Sequence, residues 1–239
     1  MNRSAERRAR TRKEIVEAAA RAIAERGYHG MSMRDLARAT GRSLAGFYDY
    51  FASKEDVLFA LQREALETLV ASTQRALAGV HDGIARLFVF IHNHVRYSSE
   101  HPDVMRVLVH EAAALPLSRR RTIRTVKEQY FEIGREIVRA VVEEGGATPG
   151  AIPRGGVDDL ELERATHGIF GMMNGVYGWY EPTRHGPSGD VARTIHRIAL
   201  CGLVAPCPYT SLQDALDERL TSVPAPPLIG LAAGARGGR

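Results

Sequence analysis

Cysteine is nearly absent from this chain. Of 239 residues only Cys201 and Cys207 carry a thiol, with Pro206 between them. Their spacing is neither a CxxC pair nor a zinc pattern, so two reduced thiols are expected rather than a disulfide framework. Long apolar runs are missing as well, since none reaches the ~18 residues that a membrane span needs. The N-terminus is polar and arginine-rich, without the apolar core of a secretory signal. A cytoplasmic protein with no membrane partner is expected. No segment alternates as a strand should, and no GxSxG, P-loop or GxGxxG occurs. The nine histidines do not fall at metal-ligand spacing. His92 and His94 diverge on a helix, and His110, His167 and His196 are isolated. No catalytic residue, metal or cofactor is therefore assigned.

What is present is ordinary in amount and uneven in placement. Hydrophobic residues at 44% and charged residues at 25% are typical of a globular chain, long enough here for two domains. The net charge of +4 hides an asymmetry: residues 1–54 carry +6 and residues 55–239 carry −2. A basic segment of this kind is the electrostatic footprint of a nucleic-acid contact, or else a solvated basic face.

The segment from Ser32 to Leu58, SMRDLARATGRSLAGFYDYFASKEDVL, lies at the end of that basic region. Met33, Leu36 and Ala37 share one face of a short helix. Gly41 supplies the permissive backbone of a tight turn. Ser43 caps a second short helix, whose buried side is Phe47, Tyr50 and Phe51. Ser53 caps a third, opening with Glu55 and Asp56 as the helix dipole prefers. Two short helices joined by a glycine turn form a helix-turn-helix, whose second helix enters a DNA major groove.

The added FYDYF-x-SKEDVL is more specific, and from Thr11 to Leu61 the chain resembles the TetR family of bacterial repressors. The resemblance implies an all-α homodimer: a three-helix DNA-binding domain, then six helices that bind a small effector and dimerise. Two residues depart from the family's pattern. Arg42 stands where a small apolar residue is usual, and Gly46 where Thr or Ser is usual, so no known operator sequence is carried over.

Helical periodicity places the rest. Residues 1–10 read as a flexible basic arm, and 11–53 as the DNA-binding domain, with Ile15, Ala19, Ala22 and Ile23 on one face and Tyr28 packed between helices. Residues 54–204 form the effector-binding and dimerisation domain. Its helices are expected over 54–79, 82–98, 102–116, 118–144, 158–180 and 188–204, with a loop at 146–156. Residues 205–239, with five prolines, read as a poorly ordered tail holding one short helix at 211–220.

Candidate site residues follow. Tyr48 and Lys54 sit where the family contacts phosphate, and Ser43 at a helix start can do the same. Arg34 and Arg42 offer the forked donors that read guanine, while Leu44 and Ala45 suit thymine methyls. Phe88, Met105, Tyr130, Phe131, Met172, Met173 and Tyr177 are candidates to line an effector cavity, their alternative being plain core. Arg119, Arg120 and Arg121 are candidates for an anionic group on that effector, or a solvated charge run. Gly168, Gly171, Gly175 and Gly178 share a helical stripe. Each costs about 1 kcal/mol against alanine, which close approach of another helix would offset. They read as a dimer seam, with packing inside the protomer as the alternative.

The NGVYGWYEP ending of that helix resembles family members that control lipid, acyl-CoA or sterol degradation. The expected function is a repressor released from a palindromic double-stranded operator by a mainly apolar small molecule, an acyl-CoA being one candidate. The alternatives are a drug-sensing repressor of an efflux gene, and a helical enzyme with an incidental basic N-terminus.

Overall fold

The structure is a computed structural model that describes residues 3–145 and 158–204. Every regular element among the described residues is helical. The expected loop at 146–156, the tail at 205–239 and its short helix fall outside them.

Helix α1 spans Arg3–Arg26 and stops at Gly27, whose φ is +74°. Its buried face is Ile15, Val16, Ala19, Ala20, Ala22 and Ile23. The flexible arm expected over 1–10 is therefore corrected from Arg3 onward. Alanine, arginine and glutamate are strong helix formers, so the lack of apolar residues there does not end the helix. Arg8 also ties this first stretch down, donating to the Asp49 carbonyl at 2.9 Å.

Helices α2 (Met33–Ala39) and α3 (Leu44–Tyr48) complete the N-terminal unit. Helix α4 (Lys54–Leu77) starts directly after it, capped by Ser53, which accepts the Asp56 N–H. Then come α5 (Gly83–Glu100), α6 (Pro102–His110), a 3-10 turn (Ala112–Ala114) and α7 (Leu117–Gly145). Pro102 opens α6 at a position where its missing N–H costs nothing. Helix α5 is central, packing against α4, α7, α8 and α11. Gly134 on α7 permits its closest approach: a Cβ there would lie 2.8 Å from the Phe170 ring and 3.1 Å from that of Phe90.

The single helix expected over 158–180 is broken. Helix α8 covers Asp159–Asn174 and α9 covers Val176–Trp179, with Gly175 between them. The Gly178 N–H reaches back only three residues, to the Gly175 carbonyl, which tightens the chain there. A further turn, α10 (Pro182–His185), occupies the expected loop before α11 (Ser188–Val204). The six helices expected after residue 54 thus become eight among the described residues.

Candidate nucleic-acid interface and internal cavity

Local chemistry fixes the α2–α3 pair. The Ser32 hydroxyl accepts the Asp35 N–H at 3.2 Å, and the Asp35 carboxylate accepts the Ser32 N–H at 2.9 Å. These bonds from Ser32 hold the Asp35 carboxyl below its ordinary pKa. Gly41, with φ of +67°, lets the Arg42 N–H close on the Ala37 carbonyl at 2.9 Å. Ser43 then accepts the Gly46 N–H at 3.1 Å, so its hydroxyl caps α3.

The two faces of this pair are distinct. Leu36, Ala37, Phe47 and Phe51 are buried, whereas Arg34, Arg38, Ala45 and Tyr48 are exposed. Leu44 and Arg42 are half-buried at the edge. Arg34 makes no ion pair or side-chain hydrogen bond among the described residues. Tyr50, expected on the buried side, is only half-buried, and the Arg42 and Arg8 guanidiniums lie 5.2 and 5.5 Å from its ring centre. These cation–π contacts hold two forked donors beside α3.

Lys54 does more than face outward. Its ammonium donates to the Tyr28 carbonyl at 3.2 Å and sits 4.3 Å over the Tyr28 ring. Tyr28 is buried, as expected, and its N–H donates to Glu111 at 3.1 Å. Burial and then the nearby Glu55 carboxylate push its phenol up to about 12. Tyr28 therefore joins the end of α1 to the start of α4 and to the end of α6. Its neighbours Lys54 and Glu111 were not visible as a cluster in the sequence, being 57 positions apart.

Behind this unit lies a cavity of about 850 Å³ among α4–α8. Leu66, Leu69, Met105, Leu108, Ile123, Phe131 and Phe170 supply apolar wall, while His94, Tyr130 and Asn174 are polar. Of the sequence candidates, Met105, Tyr130, Phe131 and Arg120 line it. Phe88 stands apart, 5.2 Å from the His196 ring. Met173 is fully buried core, and Met172 packs half-buried against that core. The Tyr177 hydroxyl is engaged by His110 Nε2 at 2.7 Å.

The arginine run does not act together. Successive helical residues point about 100° apart, so three in a row cannot converge on one group. Arg119 pairs with Asp56 and lies over Phe59, Arg120 lines the cavity, and Arg121 is exposed. Burial pushes the Asp56 carboxyl up, but the Ser53 hydroxyl and the Arg119 guanidinium outweigh it and leave its pKa low. The residues that share the Arg120 face are Arg124 and Lys127, at i+4 and i+7. That i, i+4, i+7 spacing is visible in the sequence itself.

Charge around the cavity is uneven. Glu128, Glu132 and Glu163 each have a basic neighbour, in Arg124, Arg135 and His167. Arg120 and Lys127 have no carboxylate partner among the described residues. Arg120 donates to the carbonyls of Ala113 (3.0 Å) and Leu115 (3.1 Å), and Lys127 to that of Leu108 (3.2 Å). Burial lowers the Lys127 pKa. The stretch 108–115 is thus wall, anchor for two cations, and, through Glu111, the partner of Tyr28.

The glycine stripe faces away from the core. A Cβ added at Gly168, Gly171 or Gly178 would meet nothing within 4 Å, and at Gly175 only its own helix, 3.5 Å away at the Gly171 carbonyl, and the Trp179 ring. Packing inside the protomer does not account for the stripe among the described residues. Leu160 on α8 and Trp179 on α9, the helices of the stripe, and Ile198 on α11 are exposed large apolar side chains.

Comparison with known proteins agrees along most of the chain. Residues 15–61 match "Bacterial regulatory proteins, tetR family", and residues 80–203, more than half of the chain, match "Tetracyclin repressor-like, C-terminal domain". The HTH-type transcriptional repressor AcnR of Corynebacterium glutamicum is 44% identical over 54 residues, 23% of this chain. The chain spans only 29% of the length of that relative. The crystal structure of PfmR from Thermus thermophilus, a TetR family transcriptional regulator, is 31% identical over 78% of this chain and 96% of its own, with a TM-score of 0.66. AibR, solved with isovaleryl coenzyme A and operator DNA, shares the fold at 22% identity, covering 82% of this chain and all of its own, with a TM-score of 0.65.

Proposed function

Because this chain belongs to the TetR family of bacterial regulatory proteins, we propose that it is a dimeric transcriptional repressor that an amphipathic anion releases from a palindromic operator. The outward face of α2–α3 carries this reading most directly. Arg34, Arg42, Leu44 and Ala45 read bases, and Tyr48, Ser43 and Lys54 hold phosphates. Helices α8 and α11 join two copies, through the open glycine stripe and the exposed apolar side chains beside it.

The cavity binds the effector. Its apolar wall suits an acyl chain, and its unpaired charges are both cations, Arg120 and Lys127. A drug cation would find Glu128 and Glu132 already paired with Arg124 and Arg135, leaving Glu163 beside His167 as its one opening. An acyl-CoA offers the complementary charge, and the isovaleryl coenzyme A of the AibR complex supports that class. Arg120 and Lys127 hold the carbonyls of Leu108, Ala113 and Leu115 when no anion competes. An anion that draws them away loosens 108–115, and Glu111 carries the change to Tyr28 and the DNA-binding unit. The ligand shifts the equilibrium only by its preference for the loosened state.

Replacing both Arg120 and Lys127 with glutamine is expected to weaken an acyl-CoA by ~10-fold or more, since charge-assisted bonds are the stronger kind. Arg121→Gln should change it by less than ~2-fold, as an exposed charge contributes little. Thermal shift and operator release against acyl-CoAs, free acids and cationic drugs check both points, because binding raises stability with affinity and concentration. Stabilisation by the drugs alone would replace this reading with a drug-sensing one.

A further inference from the structure

His94 is a histidine at full burial in an apolar wall, and only one of its two nitrogens is satisfied. It lies on α5, only 2% exposed, and lines the cavity together with Tyr130 and Asn174. Nδ1 is 3.1 Å from the Tyr130 hydroxyl. Nε2 forms no hydrogen bond, although the Asn174 side chain is close enough to act on the ring. An unpaired polar atom at this depth is costly, and native proteins rarely leave one without a reason.

The order of donors behind the ring decides what Nε2 offers. The Asn93 amide donates to the Thr73 hydroxyl at 2.8 Å, and Asn93 and Thr73 are both buried. The Thr73 oxygen accepts there, so its own proton is free to reach the Tyr130 oxygen, and its contact with that phenol opposes the upward push of burial on the Tyr130 pKa. The Tyr130 O–H is then left to donate to His94 Nδ1, which places the imidazole proton on Nε2. Burial lowers the His94 pKa to about 4, against the weaker opposing pull of a side-chain hydrogen-bonding approach by Asn174 that falls short of a formed bond. The ring is therefore neutral near pH 7 and presents a single N–H, not a charge. No three metal-ligating side chains gather among the described residues, so a bound ion does not account for it.

We infer that His94 Nε2, with the Asn174 amide beside it, donates to a neutral carbonyl oxygen set within the apolar body of the effector. This rests on the cavity being the effector site. It narrows the ligand from any apolar anion to an oxo-substituted one. The anionic end lies at exposed Arg120 and half-buried Lys127, and the oxo group lies at fully buried His94. A plain alkyl chain would leave Nε2 as unpaired as it is without ligand. A carboxylate at this depth would face a neutral ring and lose its water without a counter-charge.

The test uses the full-length protein with decanoic acid and with 5-, 7- and 9-oxodecanoic acids as probes, by titration calorimetry. One of the oxo acids is expected to bind ~10-fold more tightly than decanoic acid, the order of one buried hydrogen bond. His94→Leu should bring the pair within ~2-fold while decanoic acid still binds, and His94→Gln, whose amide can reach the Nε2 position, should restore part of the difference. If His94→Leu does not fold, Tyr130→Phe serves instead. It removes the O–H that sets the tautomer and should shrink the same contrast. Decanoic acid binding as well as every oxo acid, or a preference that survives in the folded variants, would overturn this inference alone. The coenzyme A thioesters of the same four acids are titrated alongside, with the same contrast expected; if neither acids nor thioesters bind, the cavity reading fails and the inference falls with it.

Discussion

Replacing Gly168 and Gly171 with leucine is expected to yield a folded monomer that no longer holds its operator at working concentration. Neither position has anything within 4 Å of an added Cβ, so the protomer accommodates both side chains without strain. Leucine is a far better helix former than glycine, which even favours the change locally. In the proposed dimer the partner copy would not accommodate it, because a seam of glycines would bring backbones into contact and two leucines would force them apart. A monomer reads one half-site only. Losing the linked second half-site weakens binding by ~10²–10⁴-fold with no change in any base contact. Light scattering, circular dichroism and operator titration together check this. A variant that remains a dimer would show that the stripe is not the seam, and one that unfolds would show that it serves the protomer instead.

The second large effect separates two neighbours on α3. Phe47 is completely buried with its ring tilted against that of Phe51, centres 5.9 Å apart, while Tyr48 is 49% exposed. Phe47→Ala should cost about 3–5 kcal/mol through lost burial and the cavity left behind. That is a large part of the ~5–15 kcal/mol that holds a typical domain. Tyr48→Ala should change stability by less than ~0.5 kcal/mol. Its effect should fall on DNA, weakening every sequence alike, as expected of a phosphate contact. Urea unfolding and binding to specific and random duplexes check the pair. Equal loss of stability in the two variants would mean that α3 has no free face.

Much of the fold was legible because it is set locally. Ser32, Ser43 and Ser53 each cap a helix, Gly41 takes the left-handed turn, and the apolar faces of α1, α4 and α5 follow the helical period. Two local features were misread. The polar start of α1 looked like a loose arm because it buries no apolar side chain, yet its alanines and arginines favour helix. Gly175 breaks its helix, whereas the regular glycine spacing pointed to continuity.

The cavity was harder to read, because a residue's helix face does not say which neighbour that face meets. Tyr130 and Phe131 reach the cavity, while Tyr177 is taken by His110 and Phe88 lies by His196. His94 stands two residues from His92, a spacing dismissed for metal. Its significance comes from Tyr130, 36 positions away, which no local pattern could bring to it.

The most direct test of the central claim is selection of genomic DNA fragments by the purified protein at ~150 mM salt, where purely electrostatic binding has faded. The expected outcome is one enriched palindrome. With Arg34→Ala or Arg42→Ala, one position per half-site should relax at a cost of about 1–3 kcal/mol, while the rest of the palindrome persists. No enriched sequence, or the same palindrome at full strength from both arginine variants, would contradict the assignment of α2–α3 as the reading face.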